Sequence, residues 1–185
     1  MSIEREDVLL DGVVVLRVQR FTDERGFFSE MIRTDILESY GIPTTFVQHN
    51  HSRSVRNVVR GLHGQLDPPM GKLIYVVRGS IKLVELDVRQ GSPTFGKHIS
   101  VDVSDNNGRL VWVPSGFANG FRATSDVVDV VYTCTALWNP QTEFCVNSCD
   151  ADLGIDWGTA DIIRSDRDAA APTLAELTSA SVLLR

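Results

Sequence analysis

Apolar residues in this chain gather in short runs closed by Gly, Pro, Asn or Asp, and the pattern continues from the start to about residue 148. The runs read "DGVVVLRVQRF", "TFVQHNHS", "NVVRGLHGQ", "KLIYVVRGSIKLVELDVRQGSPTFGKHISVDVS", "RLVWVPSGFANGF" and "DVVDVVYTCTALW". Each is short enough for a strand, and many short strands broken by turn signals predict an all-β sandwich or barrel. Within "LIYVVRGSIKLVELDV", partial alternation on either side of Arg78-Gly79-Ser80 predicts a hairpin turn, and the breaker-rich "RQGSPTFG" predicts a loop. Helix is scarce. In "RTDILESYG", Thr34 or Asp35 is the expected cap, Ile36, Leu37 and Tyr40 form an apolar face, and Gly41 is the stop. The tail "APTLAELTSASVLLR" suggests a second short helix, with Pro172 tolerated near its start. There is no internal repeat and no low-complexity linker, so residues 1–185 are expected to form a single domain.

Composition narrows the function classes. With 185 residues, 43% of them hydrophobic, the chain can bury a substantial core. A formal net charge of -6 without any dense Lys/Arg block argues against nucleic acid or a membrane surface as partner, while leaving a small anionic ligand open. Cys134, Cys145 and Cys149 are an odd set with no second pair to complete a zinc site, and they look like reduced thiols. The start "MSIEREDVLLDG" is charged rather than a basic segment followed by an apolar core, and no apolar run is long enough to span a bilayer, so a soluble cytoplasmic protein is expected.

The polar residues inside the apolar runs are the candidates for chemistry. Strand alternation in "NVVRGLHGQ" puts Val58, Arg60, Leu62 and Gly64 on one face and Val59, Gly61, His63 and Gln65 on the other. Arg60 reaches the same cavity as His63 only if Gly61 marks a bulge. Taken singly, the candidates have ordinary explanations: His63 as a core histidine, Lys72 as a solvated edge residue, Tyr132 as a sheet tyrosine, and Asp166 and Asp168 as caps of the last helix. Together they supply an imidazole, a phenol, an ammonium, guanidiniums and a carboxylate. That set can move a proton next to a carbonyl and hold a diphosphate. His49-x-His51 has the local spacing of a metal pair, but no Glu follows at the needed offset and Asn119 stands where a further His is required. No metal and no cofactor are expected.

Nine segments occur in an order that resembles a known family: "FTDERGFFSE", "FVQHNHSRS", "VRGLHGQ", "GKLIYVVRGS", "DVRQGSPTFGKH", "VPSGFANGF", "VVYTCTALWNPQTE", "DADLGIDW" and "SDRDAAAPTL". From about residue 5 to about residue 175 the chain resembles the nucleotide-sugar epimerases typified by dTDP-4-dehydrorhamnose 3,5-epimerase. The resemblance implies a cupin-like jelly-roll β-barrel without a metal, acting on a nucleotide-diphosphate sugar in deoxysugar biosynthesis, and a homodimer. It implies His63 as catalytic base, Asp168 as the carboxylate that orients it, Tyr132 as the acid on the opposite face, and Lys72 as the cation beside the C4 carbonyl oxygen. Arg60 is similar to the family's diphosphate or sugar-pocket arginine. Arg25, Phe27, Glu30, Gln48, Asn50, Gln65, Asn119, Trp138, Glu143 and Arg167 are implied as substrate-binding, with Arg25 and Glu30 acting across the dimer interface.

The residue types suit the reaction. A proton on carbon next to a ketone is acidic only when the developing enolate oxygen is stabilised, which a lysine ammonium can do. An imidazole accepts a proton near neutral pH, and a phenol keeps one to return. The chain departs from the family at four points. "GFANGF" stands for "GFAHGF", so Asn119 can hydrogen-bond the sugar but carries no titrating proton. Trp138 replaces a common tyrosine, Gly64 an aromatic and His49 an acid, and the last two are expected to widen or retune the site. The alternatives are a single-site 3- or 5-epimerase on a related 4-keto sugar and, from another class, a non-catalytic nucleotide-sugar binding module.

Overall fold

The computed structural model describes residues 2–184. The chain begins with β1 (Ile3–Leu9) and β2 (Val13–Val18), a small arm of β3 (Phe21–Asp23) and β4 (Gly26–Phe28), and helix α1 (Thr34–Ser39). The central strands follow: β5 (Gln48–Val55), β6 (Val59–Gln65), β7 (Lys72–Arg78), β8 (Ser80–Asp87), β9 (His98–Ser104), β10 (Arg109–Val113), β11 (Phe117–Ala123) and β12 (Val127–Cys134). A short β13 (Glu143–Cys145), helices α2 (Asp166–Ala169) and α3 (Leu174–Ser179), and a 3-10 turn at Val182–Leu184 complete the chain.

Two antiparallel sheets face each other, one in the order β1-β2-β10-β7-β12-β5 and the other β13-β6-β11-β8-β9. This is the all-β architecture expected from the strand pattern, in the cupin-like jelly-roll form that the family resemblance implies. The space between the sheets is filled by Val13, Val15, Ile74, Val76, Val111 and Val130 from one and Ile81, Leu83, Val101, Phe117 and Phe121 from the other. The outer faces are covered too. Helix α1 puts Ile36 and Leu37 against Leu16, Leu73 and Leu110, while the C-terminal segment puts Trp157, Leu174 and Leu177 against Leu62, Val84 and Phe144. Burial on both faces explains why "VVVLRV" and "KLIYVV" are nearly continuous apolar runs rather than clean alternations.

The expected β7–β8 hairpin does not form. Arg78 pairs with Asp129 of β12 in one sheet, whereas Ser80 pairs with Ser104 of β9 in the other, so the chain changes sheet at Gly79. Gly79 has φ +79, and a Cβ there would meet Ser125 Oγ and Val127 O at 2.3 Å. Only glycine fits that corner. Because both strands carry apolar residues on both faces, the local pattern gave no sign that their partners lie elsewhere.

The helix caps also differ in detail. Arg33, not Thr34 or Asp35, is the N-cap of α1, without a side-chain hydrogen bond. Asp166 and Asp168 do not cap the last helix: they belong to the short α2, capped by Ser165, whose hydroxyl accepts from the Asp168 amide at 3.1 Å. Helix α3 follows Pro172 and is closed by a capping box between Thr173 and Glu176.

Candidate active site

Strand β6 supplies the first wall of the site. Opposite β11, Asn119 pairs with His63 and Phe121 with Arg60, so two residues of β6, Gly61 and Leu62, face one residue of β11. This is the bulge required to turn Arg60 and His63 toward one space, and both line the same cavity of about 410 Å³. Gly61 sits there because a Cβ would meet the backbone of Asn119 and Gly120 at 2.6 Å.

Asp168 reaches His63 from 105 residues away in sequence. The segment before α2 is drawn to the start of β6 by a parallel bridge between Val58 and Ile163 and by the Val59 amide donating to the Ile163 carbonyl at 2.8 Å. Asp168 is then buried, with Oδ1 2.7 Å from His63 Nε2 and Oδ2 accepting from the Gly61 amide at 3.3 Å. A carboxylate held in this way fixes the imidazole's orientation. Cys145 Sγ lies 3.8 Å from the same Oδ1. Burial first, and the Asp168 charge second, push the Cys145 thiol up to about 12, so it stays protonated at neutral pH.

The opposing sheet supplies the other wall. Lys72 opens β7 and directs Nζ into the space between the sheets, donating to the His63 carbonyl at 3.3 Å and to Asn119 Oδ1. Burial lowers its pKa from the ordinary 10.5, although the residue still opens onto the cavity. Tyr132 lies on β12 in the same sheet, and burial first, then the neighbouring Cys134, raise its pKa above 10.0. Base and acid candidates thus come from facing sheets. Ile74, Val130 and Phe121 form an apolar floor, and Arg60, Arg164 and Arg167 bring guanidiniums to the cavity. Arg60 is anchored by Nε to Ser54 Oγ at 3.0 Å, and Arg167 by Glu143 at 2.6 Å.

The cavity therefore unites His63, Asp168, Lys72, Tyr132, Asn119, Arg60 and Arg167. Gln65 is not among its lining. It is buried, its amide nitrogen donates to the Pro68 and Leu137 carbonyls, and its oxygen accepts from the Asn139 amide at 2.7 Å. Strand alternation puts it on the face of His63, and β13 pairs in unbroken register with both, but the loops beyond β6 engage both its amide nitrogen and its oxygen and keep it from the cavity. Gln48, Asn50 and Trp138 form a separate cluster at the start of β5: Gln48 donates to Asn50 at 3.1 Å and accepts from the Trp138 amide at 2.8 Å, while Trp138 is exposed. Arg25, Phe27 and Glu30 lie on or beside the β3–β4 arm. There Arg25 pairs with Asp23 at 2.5 Å, Phe27 is 62% exposed, and Glu30 stands 3.9 Å from Arg33.

Gly64 does not widen the site. It is on the far face of β6, where a Cβ would meet the Phe144 ring at 2.3 Å, so Phe144 occupies the room its missing side chain leaves. Arg164, Ser165, Ser52 and Phe121 line the cavity without having been singled out in the sequence. Phe121 was legible, since it is two residues from Asn119 on one strand. Arg164 had no such signal, being placed by a hydrogen bond to Asn147 at 2.9 Å from an irregular segment.

Metal-ligating groups are sparse. Among the described residues, only His63, Cys145 and Asp168 bring three candidate ligand atoms within 4.8 Å of one another. His51, of the His-x-His pair, is instead 3.0 Å from Asp129 and away from the cavity.

The model of the dTDP-4-dehydrorhamnose 3,5-epimerase family matches residues 7–176. A dTDP-4-dehydrorhamnose 3,5-epimerase of Methanothermobacter thermautotrophicus is 43% identical over 162 residues, covering 86% of this chain and 88% of the relative. A dTDP-6-deoxy-D-glucose-3,5-epimerase of Legionella pneumophila, solved in complex with dTDP-4-keto-L-rhamnose, superposes with a TM-score of 0.92 at 38% identity, covering 97% of this chain and 96% of that one. A 3'-monoepimerase of Streptomyces bikiniensis, solved in complex with dTDP-quinovose, superposes with a TM-score of 0.86 at 33% identity, covering 92% of this chain and 88% of that one. With a matching model over nearly its whole length and relatives above 40% identity, the chain belongs to the dTDP-4-dehydrorhamnose 3,5-epimerase family.

Proposed function

We propose that the protein is an isomerase that inverts C3 and C5 of a dTDP-4-keto-6-deoxyhexose, in the biosynthesis of a rhamnose-like deoxysugar. The observation that carries this reading is the pair of His63 on β6 and Asp168 on α2, 2.7 Å apart, at one wall of a cavity whose facing sheet supplies Lys72 and Tyr132. His63 takes the proton from the carbon next to the C4 ketone. Asp168 occupies its Nε2 side, leaving the other ring nitrogen as acceptor, and stabilises the imidazolium that forms. The electron pair of the broken C–H bond moves into the enolate, whose oxygen faces the Lys72 ammonium. Tyr132 then delivers its phenolic proton to the opposite face, completing inversion, and both groups return to their starting states by proton exchange with solvent. C3 and C5 both flank C4, so one constellation can serve both centres.

Arg60, Arg164 and Arg167 suit the diphosphate, and Gln48, Asn50 and Trp138 form a polar and aromatic ledge suited to the nucleoside. The exposed Phe21, Phe27 and Phe28 of the arm favour a homodimer in which Arg25, Phe27 and Glu30 reach the partner's cavity. Three free cysteines favour a reducing compartment such as the cytoplasm. A second reading, inversion of one centre only, is favoured by Asn119, which cannot titrate.

Incubation of the purified protein with dTDP-4-keto-6-deoxyglucose in D2O, followed by NMR, decides among these. Deuterium at C3 and C5 supports the double epimerase, and deuterium at one centre the single-site reading. Deuterium at neither, with dTDP bound, sinks catalysis and leaves the binding module.

A further inference from the structure

Glu85 is a carboxyl that the proposed reaction does not use. It lies on β8, is fully buried, and among the described residues neither of its oxygens has a hydrogen-bond partner. A buried carboxyl without partners is costly, so its retention calls for a reason. Its place in the fold suggests one. Glu85 is the register partner of Asn119, which is in turn the register partner of His63 and accepts from Lys72 Nζ. On the same face of β8, Ile81 and Leu83 point between the sheets, so Glu85 points inward as well, toward the space Lys72 enters from the facing sheet.

Resting on the reading of Lys72 as the cation beside the enolate, we propose that Glu85 is a positioning residue whose carboxylate is the counter-charge that keeps the Lys72 amine protonated at the cavity wall. The groups that touch Lys72 directly, the His63 carbonyl and Asn119, are neutral acceptors. The titratable groups whose fields reach it are Cys134 on β12, Glu85 on β8 and Glu143 on β13. Burial raises the Cys134 thiol above its ordinary range, so it is neutral near pH 7. Glu143 is committed to Arg167 at 2.6 Å. Glu85 has no hydrogen-bond partner among the described residues. The two groups are complementary in sign: burial drives Glu85 well above 4.5 and the Lys72 charge opposes that shift, while burial drives Lys72 down. Each alone tends toward its neutral form, and each as an ion favours the charged form of the other.

Glu85→Gln keeps the shape and removes the charge. The Lys72 ammonium is lost as pH rises through its folded pKa, and without Glu85 that pKa falls further. The alkaline limb of kcat therefore moves to lower pH by at least one unit, about a tenfold loss of rate just above the wild-type limb. Affinity for dTDP stays within about twofold, and Glu85→Asp restores the limb part of the way. A limb that stays in place in folded Glu85→Gln, or moves up, overturns the proposal. A second measurement needs neither the variant nor activity: NMR titration of wild-type protein carrying 15N-lysine and 13C-carboxyl glutamate. The proposal predicts that the Glu85 carboxyl is ionised wherever Lys72 is charged near neutral pH. A Glu85 carboxyl that stays neutral throughout that range contradicts it. Because this readout uses no substrate, failure of the epimerase reading and failure of the pairing show up separately.

Discussion

Two buried carboxyls stand two residues apart on β8, and their surroundings are opposite. Asp87 is burdened by burial, but Arg89 grips it through Nε at 2.9 Å and a terminal nitrogen at 2.8 Å, and Ser92 and Thr94 donate at 2.7 and 2.5 Å. Those bonds outweigh the burial and hold its carboxyl well below the ordinary range. Glu85 has no such partners, and burial pushes it the other way. A similar contrast separates Gln65 from the groups that line the cavity. Asp87 and Gln65, which serve the fold, are both held by neighbouring loops. Around the cavity the polar groups keep capacity in reserve: Lys72 faces only neutral acceptors, and His63 has a carboxylate on one nitrogen alone.

The contrast implies that removing a satisfied group damages the fold and removing a reserve group damages the chemistry. The largest fold effect is expected for Asp87→Ala, which leaves Arg89 without its partner and costs about 3–5 kcal/mol. Thermal melting is expected to fall by on the order of 10 °C. A melting point within a degree or two of wild type breaks the comparison.

Lys72→Arg tests the reserve side. A guanidinium does not titrate below about pH 12, so the alkaline limb of the rate, set in the wild type by a lysine whose pKa burial holds below 10.5, disappears from the accessible range. Tyr132 does not replace it as the limb, because burial moves its phenol upward from 10.0. The planar head group fits the enolate oxygen less well, and kcat is expected to fall roughly 100-fold. Unchanged melting with an unchanged pH profile rules out Lys72 as the origin of the limb. The smallest effect belongs to Gly64→Ala, whose methyl collides with Phe144 behind the site. It is expected to cost about 1–3 kcal/mol of stability while activity per folded molecule changes little. Strong loss of activity without loss of stability shows that Gly64 shapes the cavity after all.

The strands were legible because their apolar runs are short and separated by breakers, and the bulge at Gly61 because a glycine interrupts an otherwise regular strand. Strand partners were not. The "VVRGSIK" segment reads as a hairpin locally, and the burial of both faces that sends β7 and β8 to different sheets is a property of the whole core. His63, Lys72 and Tyr132 stood out as polar residues in apolar strands. Their convergence with Asp168 was visible only through the order of family motifs, since the Ile163 bridge that brings α2 to β6 leaves no local trace. Glu85 was missed because alternation in "IKLVELD" puts it on the face of Ile81 and Leu83 and opposite Val84 and Leu86, and with both faces apolar the local pattern does not say which one turns inward.

The central claim is that His63 removes the substrate proton, and the most direct measurement compares wild type with His63→Ala for exchange of substrate hydrogen with D2O. Loss of a positioned general base is expected to slow exchange about 100- to 10,000-fold, with dTDP binding largely retained. Exchange by His63→Ala within tenfold of the wild-type rate contradicts the assignment.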